Sequence, residues 1–587
     1  MAYTAAARAD HPDDGPASAV RRTVRRNLWG VGLFSAFLNI LALTGSLFML
    51  QVYDRILPSG SVPTLVALFA LAVALFAFYG LLDLFRGRVL LRIGTLVDAI
   101  LGPQVYEAIV KLPLSRAQQW NKTDLLQDLD AVRTFLSSSA PAVLFDLPWV
   151  PFYLALLYLF HPLLGALALA GMVVLVAVML ATAWLARAPT RMASLHAKER
   201  QRLAETSRRN AELLTSLGMT HRYGERWAKI NNRYMESNQR ASDVAGGLGA
   251  LSRALRMLLQ SAVLALGAYL VIYQEATAGI IIAGSILAGR ALAPLDAAIP
   301  NAKNWTAARQ SWKRLSQILQ YVAERRIVLP LRSPRERLTV ETASAAPPGV
   351  DKLIVQDAAF TLTRRQGLGI IGPSGSGKSS LARLLVGIWT PVRGRVQLDG
   401  AALDQWEPEQ LGRHIGYLPQ AAELLPGSIS DNIARFESEI DPETVIRAAE
   451  AAGVHELIVS LPGGYQTVVG ENGASLSAGQ VQRIALARAL YHEPFLVVLD
   501  EPNSNLDAEG EAALTRAVFR VRERGGIVVI IAHHPSVLAA VDTLLVMREG
   551  RVWALGPKDE ILPKVLRPVS APTAPLRIVG DATRTAS

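Results

Sequence analysis

The stretch Leu368-Gly-Ile-Ile-Gly372-Pro-Ser-Gly-Ser-Gly377-Lys378-Ser379 decides how the second half of the chain is read. A short apolar run ends on a glycine-rich loop, and the helical stretch Ser380–Val386 opens after it. Glycines let backbone N–H groups approach phosphate oxygens, and a helix N-terminus adds a favourable dipole. This spacing in a strand–loop–helix context is that of a phosphate-binding loop. The candidate ATP contacts are therefore Gly372, Pro373, Ser374, Gly375, Ser376, Gly377, Lys378, Ser379 and Ser380. Lys378 can reach the β- and γ-phosphates, and the Ser379 hydroxyl can ligate Mg²⁺.

Downstream, the apolar run Phe495–Leu499 ends in Asp500-Glu501. An acidic pair after a strand is often only a solvated turn. Behind a phosphate loop it reads as the complementary acid, with Asp500 beside Mg²⁺ and Glu501 polarising the attacking water. β-rich runs alternate with helical segments throughout this half, which implies a largely parallel α/β sheet.

The first half differs in kind. Leu28–Tyr53, Val62–Leu84, Ser139–Phe160, Leu163–Ala186, Leu248–Tyr273 and Ala276–Pro300 each carry an apolar stretch long enough for about 30 Å of hydrocarbon. Soluble helices rarely stay apolar on every face for so long. Of the 587 residues 51% are hydrophobic and 19% charged, below the roughly 25% charged of soluble domains. The absence of cysteine excludes a disulfide scaffold, a Cys-ligated metal and a cysteine nucleophile. A net charge of +11 could suggest nucleic acid. Instead the basic residues gather before the first span (Arg21, Arg22, Arg25, Arg26) and in the long segments 85–138 and 187–247. That distribution follows the positive-inside rule and places both termini and both long segments in the cytoplasm. No nucleic-acid partner is expected; membrane lipids are.

The expected fold is an α-helical six-span membrane domain (28–328) followed by an α/β P-loop nucleotide-binding domain (351–565). Residues 329–350 form a linker and the start of the cassette. Residues 1–27 are expected to be a disordered basic tail without a cleavable signal, and residues 566–587 a flexible tail. The long segments read as helices continuing the spans, with breaks near Leu112–Pro113 and Gly218.

With these motifs assembled, the chain resembles the ATP-binding cassette (ABC) family over essentially its whole length. Leu476-Ser477-Ala478-Gly479-Gln480 looks like the family signature, with Ala478 replacing its first glycine. By resemblance Gln420 is the Q-loop glutamine sensing Mg²⁺, and Ser504-Asn-Leu-Asp507 the D-loop. His533, rather than adjacent His534, matches the switch histidine at the γ-phosphate. Asp500, Ser379 and Gln420 would surround the metal. Thr342–Ala346 holds no aromatic, so adenine stacking is unassigned. One copy of each motif implies a half-transporter acting as a homodimer, with ATP between Lys378 of one copy and Ser477, Ala478, Gly479, Gln480 and Asp507 of another. Gly470-Glu-Asn-Gly473 resembles the exporter-specific X-loop.

Phe48-Met-Leu-Gln-Val-Tyr-Asp-Arg-Ile-Leu-Pro-Ser-Gly60, Phe145-Asp-Leu-Pro-Trp149 with His161-Pro162, and Glu501-Pro-Asn-Ser-Asn-Leu-Asp507 resemble type I secretion permease/ATPases of the protease-exporter (PrtD-type) branch. That resemblance implies ATP-driven export of an unfolded polypeptide with a C-terminal signal across a bacterial inner membrane. A periplasmic adaptor and an outer-membrane channel would be its partners. Some relatives carry an N-terminal cysteine peptidase; without cysteine, leader cleavage by this chain is excluded. Rival readings are a lipid or small-molecule exporter and, in another class, an ATP-gated channel or regulator, against which Glu501 and His533 argue. Arg253, Arg256, Arg290 and Asp296 are candidates for a polar pathway, because intramembrane charges seldom face lipid; for Arg253 and Arg256 a place near the cytoplasmic interface is the favoured reading, and Arg290 is the better pathway candidate. Loops around Asn121–Asp130 and Met219–Trp227 would hold the coupling helices by resemblance.

Overall fold

The computed structural model describes residues 16–115, 124–323, 331–470, 476–532 and 535–566. The chain divides into two compact units, one helical and one α/β.

Six helical segments of the first unit are long and apolar enough to cross a membrane: Val20–Ser59, Val62–Leu114, Ala140–Phe160, Pro162–Arg209, Thr220–Ile272 and Ala278–Ala298. Their number and order agree with the hydropathy of the sequence. The first begins at Pro16, inside the stretch expected to be a disordered tail. Proline suits the first helical turn, where its missing N–H is no loss, and the Ala-rich residues after it sustain the helix. Helices Val62–Lys111, Pro162–Arg209 and Thr220–Ile272 run 50, 48 and 53 residues. At about 1.5 Å per residue each is more than twice the hydrocarbon thickness, so all three continue well beyond it. A 3₁₀ turn at Leu112–Leu114 ends one of them. Gly218, at φ 63°, separates Ala211–Ser216 from Thr220–Ile272.

The third span is broken where its prolines fall. Helix Ala140–Asp146 gives way to a 3₁₀ turn at Leu147–Trp149 and resumes at Val150–Phe160. Pro141, Pro148 and Pro151 each occupy an opening turn, the place that tolerates a missing N–H. The helices pack through Tyr153, Leu157, Leu164, Leu259, Val263, Leu270 and Leu287. Only 6% of the second span's apolar window is buried, a surface that a membrane covers and water would not tolerate.

The second unit is built on a six-stranded sheet. Its order is Arg551–Pro557, Thr543–Arg548, Gly367–Ile371, Ile527–Ile531, Leu496–Asp500, Ile415–Leu418. All neighbours are parallel except the antiparallel pair at the first edge. Leu496, Val498, Ile527, Val529 and Ile531 pack into one core and Val497, Leu499, Val528 and Ile530 into the other. Covering both faces explains why these strands read as unbroken apolar runs. A second, antiparallel sheet orders Val355–Thr363, Arg337–Ala345, Arg393–Leu398 and Ala401–Ala402. The segment 329–350 contributes Arg337–Ala345 to it.

Candidate functional site

Parallel strands release their loops at one end, where open α/β sheets bind ligands. Gly367–Ile371 releases the phosphate loop, Leu496–Asp500 ends in Asp500 itself, and Ile415–Leu418 leads to Gln420. Ile527–Ile531, between the first two, leads toward His533, which lies outside the described residues.

The loop's geometry needs its glycines. A Cβ on Gly372 would stand 2.3 Å from the Met547 carbonyl oxygen, so that backbone approach admits no side chain. Pro373, Ser374 and Gly375 lie toward its tip, whereas Ser376, Lys378 and Ser380 are buried. Lys378 Nζ folds back to donate to the carbonyl oxygens of Gly372 (3.0 Å) and Pro373 (2.9 Å). Burial pulls its ammonium below the usual lysine range, against the opposing charges of Glu501 and Asp500.

Ser379 Oγ donates to Asp500 Oδ1 at 3.2 Å. Asp500 is 1% exposed, and its Oδ2 is buried without a partner. Burial pushes this carboxyl above the ordinary Asp range; the Ser379 hydroxyl opposes that shift and the Glu501 charge adds to it. Gln420 Nε2 donates to Glu501 Oε2 at 3.0 Å. Glu501 sits at φ 51°, a left-handed turn directly after the strand, held by its N–H on the Ile531 carbonyl (3.0 Å). Lys378, Ser379, Asp500, Glu501 and Gln420 are thus brought together as the motifs suggest.

The signature forms a second cluster. Ser477 caps helix Ala478–Leu490: its Oγ accepts from Gln480 N–H (3.3 Å), and Gln480 Oε1 accepts from Ser477 N–H (2.8 Å). This reciprocal capping box satisfies two donors that the helix start leaves open. A Cβ on Gly479 would lie 2.6 Å from the Asn505 carbonyl oxygen, so Gly479 is fixed by the approaching D-loop. Asp507 caps helix Ala508–Glu523 through Gly510 N–H (2.9 Å) and pairs with Arg483. Among the described residues, Ser477 and Gln480 bond each other and Asp507 bonds Gly510 and Arg483.

Motif reading missed Gln482. It is 4% exposed, donates to the carbonyl oxygens of Pro502 (2.6 Å) and Glu501 (3.3 Å), and accepts from Asn505 N–H (3.2 Å). It ties the signature helix to the segment after Glu501. Among the membrane candidates, Arg256 pairs with Asp296, joining the fifth and sixth spans. Arg290 is half-buried. The larger polar cluster lies elsewhere: Asn39 Nδ2 donates to Asp146 (2.8 Å), Arg86 reaches Asp146 (3.3 Å) and Ser35 Oγ (3.1 Å), and Tyr153 Oη donates to Asn39 Oδ1 (2.9 Å). In the linear sequence Asp146 stands out as part of the string Phe145–Trp149, with nothing to show that it meets Asn39 and Arg86.

Six spans and this nucleotide site define a membrane transporter energised by ATP, and the chain belongs to the ABC transporter family. The profile described as ABC transporter matches residues 355–504, and that for the ABC transporter transmembrane region matches 28–293. The chain is 52% identical over 553 residues to the "Type I secretion system ATP-binding protein PrsD" of Rhizobium meliloti (strain 1021), covering 94% of this chain and 95% of that protein. It is 30% identical to the "Cyclolysin secretion/processing ATP-binding protein CyaB" of Bordetella pertussis (strain Tohama I), across 92% of this chain and 76% of that one. The "Alpha-hemolysin translocation ATP-binding protein HlyB" of Proteus vulgaris is also 30% identical, with 90% and 75% covered. These relatives bear out the sequence resemblance to type I secretion permease/ATPases. In fold, the chain matches a bacterial Atm1-family ABC exporter with ATP bound at a TM-score of 0.77 and 24% identity, over 93% of this chain and 97% of that one. The cassette binds ATP, and its hydrolysis is coupled to transport.

Proposed function

We propose that this chain is the ABC component of a type I secretion system, exporting an unfolded polypeptide with a C-terminal signal across the inner membrane. The observation carrying this reading is the grouping of Ser379 with Asp500 and of Gln420 with Glu501 on a chain that aligns along nearly its whole length with a type I secretion relative. A periplasmic adaptor and an outer-membrane channel would complete the route. The basic residues beside the first span and in the long helical extensions favour cytoplasmic termini and cassette.

In hydrolysis Lys378 exchanges the Gly372 and Pro373 carbonyls for phosphate oxygens, and Glu501 accepts the proton of the attacking water. His533 is assigned to the γ-phosphate. The donor set suits Mg²⁺: Asp500 Oδ2 is buried and unpartnered, and Ser379 Oγ lies beside the same carboxylate. Among the described residues no three His, Asp or Glu side chains are grouped for a metal. Ser379, Asp500 and Gln420 would therefore hold Mg²⁺ only together with phosphate oxygens and water. When bound, the cation neutralises charge on the β- and γ-phosphates. A homodimer is the simplest assembly, with Ser477 and Gly479 of one copy completing the site at Lys378 of the other.

The test is reconstitution of the purified chain in lipid vesicles with candidate secretory C-terminal segments. Export of protein requires that one of them stimulates ATP hydrolysis and crosses the bilayer. If none does either while a lipid or small molecule does both, the cargo reading fails.

A further inference from the structure

Asp128 stands in the first turn of helix Leu125–Ser137 and is 5% exposed. Among the described residues its side-chain hydrogen-bond partners lie on one other element, the helix Ala278–Ala323. Ser311 Oγ donates to Oδ1 at 2.8 Å, Arg314 Nε donates to Oδ2 at 2.8 Å, and Arg314 Nη2 closes the fork on Oδ1. Arg314 Nη2 also reaches Ser311 Oγ at 3.2 Å. Further along the same helix pair, Phe135 meets Trp305 edge-on at 5.3 Å. Arg133, on the same short helix, lies 3.7 Å from Asp98 of Val62–Lys111.

Desolvation of the buried Asp128 carboxylate cancels much of its attraction to the part-exposed Arg314 guanidinium, so this fork is a poor source of net stability. What a bidentate fork adds is fixed relative orientation. Here it fixes two elements with particular places in the chain. Ala278–Ala323 is the last helix of the membrane unit, and the chain passes from it into the cassette strand Arg337–Ala345. Leu125–Ser137 opens the segment that returns the chain from the second span to the third.

We propose that Asp128 and Arg314 form a coupling joint. They are positioning residues that make helix Leu125–Ser137 follow any displacement of Ala278–Ala323, so that a nucleotide-driven movement enters the third and sixth spans together. The joint rests on membership of the ABC family and is independent of what the cargo is.

Because the chain has no native cysteine, a single Ser59→Cys can be labelled with an environment-sensitive fluorophore at the end of the first span, beside the turn to the second. The full-length chain, carrying Glu501→Gln to retain ATP, is placed in phosphatidylethanolamine/phosphatidylglycerol nanodiscs. ATP binding is measured with a fluorescent analogue and fold with a thermal melt. In Asp128→Asn the analogue still saturates, while the ATP-induced label response falls about tenfold, within the usual range of coupling between sites. The swap Asp128→Arg/Arg314→Asp restores the response. Arg314→Lys keeps the charge but loses the fork; it gives the same loss and carries the test if Asp128→Asn does not assemble. An undiminished response in these variants overturns the joint. So does a loss that tracks a lowered melting midpoint and is not restored by the swap, which would mark the pair as a staple only.

Discussion

The amide of Gln420 donates to the carboxylate of Glu501 at 3.0 Å, so the Q-loop and the proposed general base are already in contact within one cassette. Glu501→Gln removes the base but keeps the shape. Steady-state ATP turnover should fall at least about 100-fold, the usual contribution of a positioned base. ATP binding should persist, because Lys378 and the loop are untouched. A phosphate-release assay beside a fluorescent-nucleotide titration checks both, and unchanged turnover would refute the assignment.

Burial raises the Asp500 carboxyl, which sets the sign of its pH dependence. With its folded value above its unfolded one, this group favours the folded state below the ordinary Asp pKa of about 3.9 and ceases to do so as pH rises through the raised value. At neutral pH, nucleotide-free Asp500→Asn should melt higher than the parent chain. That advantage should shrink as pH falls toward the ordinary Asp range. Addition of Mg²⁺ and ATP should protect the parent and not the variant. Melting curves across pH with and without Mg²⁺ ATP measure all three.

The alanine in the signature should be harmless, because the tight contact is at Gly479. Gly479→Ala drives a methyl to 2.6 Å from the Asn505 carbonyl and should cut turnover about tenfold or more by displacing the segment after Glu501. Ala478→Gly should leave turnover nearly intact while costing up to about 1 kcal/mol of stability in the helix start. Ser477→Ala breaks the capping box and should cost about 1 kcal/mol. Parallel turnover and denaturation measurements separate the three.

Two carboxylates from the branch-marking strings should hold the membrane unit together. Asp54 accepts from Thr277 Oγ1 (2.7 Å) and Gly279 N–H (2.8 Å), capping the start of the sixth span. Asp54→Ala should cost about 1–2 kcal/mol, with Asp54→Asn recovering most of it. Asp146→Leu leaves Arg86 without one of its two carboxylate partners, Asp83 remaining at 2.7 Å, and should cost at least about 2 kcal/mol. Thermal melts in detergent report both.

Local spacing made much of this protein legible. Six apolar runs read as spans because hydrocarbon needs about 20 consecutive apolar residues whatever surrounds them. Gly372–Ser379 read as a phosphate loop because its chemistry is contiguous. The start of the first helix at Pro16 was not legible, since a short polar Ala-rich stretch forms helix or coil according to the segment it joins. Nor was Gln482, an amide inside an ordinary amphipathic pattern, whose role depends on carbonyls about twenty residues away.

The sequence alone determined the class of protein, because spans and phosphate loops are local devices with fixed lengths and fixed residue types. It also named the candidate groups for binding ATP. Only tertiary structure decided how the charges are used. Asp146 meets Arg86 and Asn39, Asp128 meets Arg314, and Asp54 caps Gly279 across separations of 60 to 225 residues. A carboxylate's function depends on what faces it once water is removed, and nothing in the linear order fixes that.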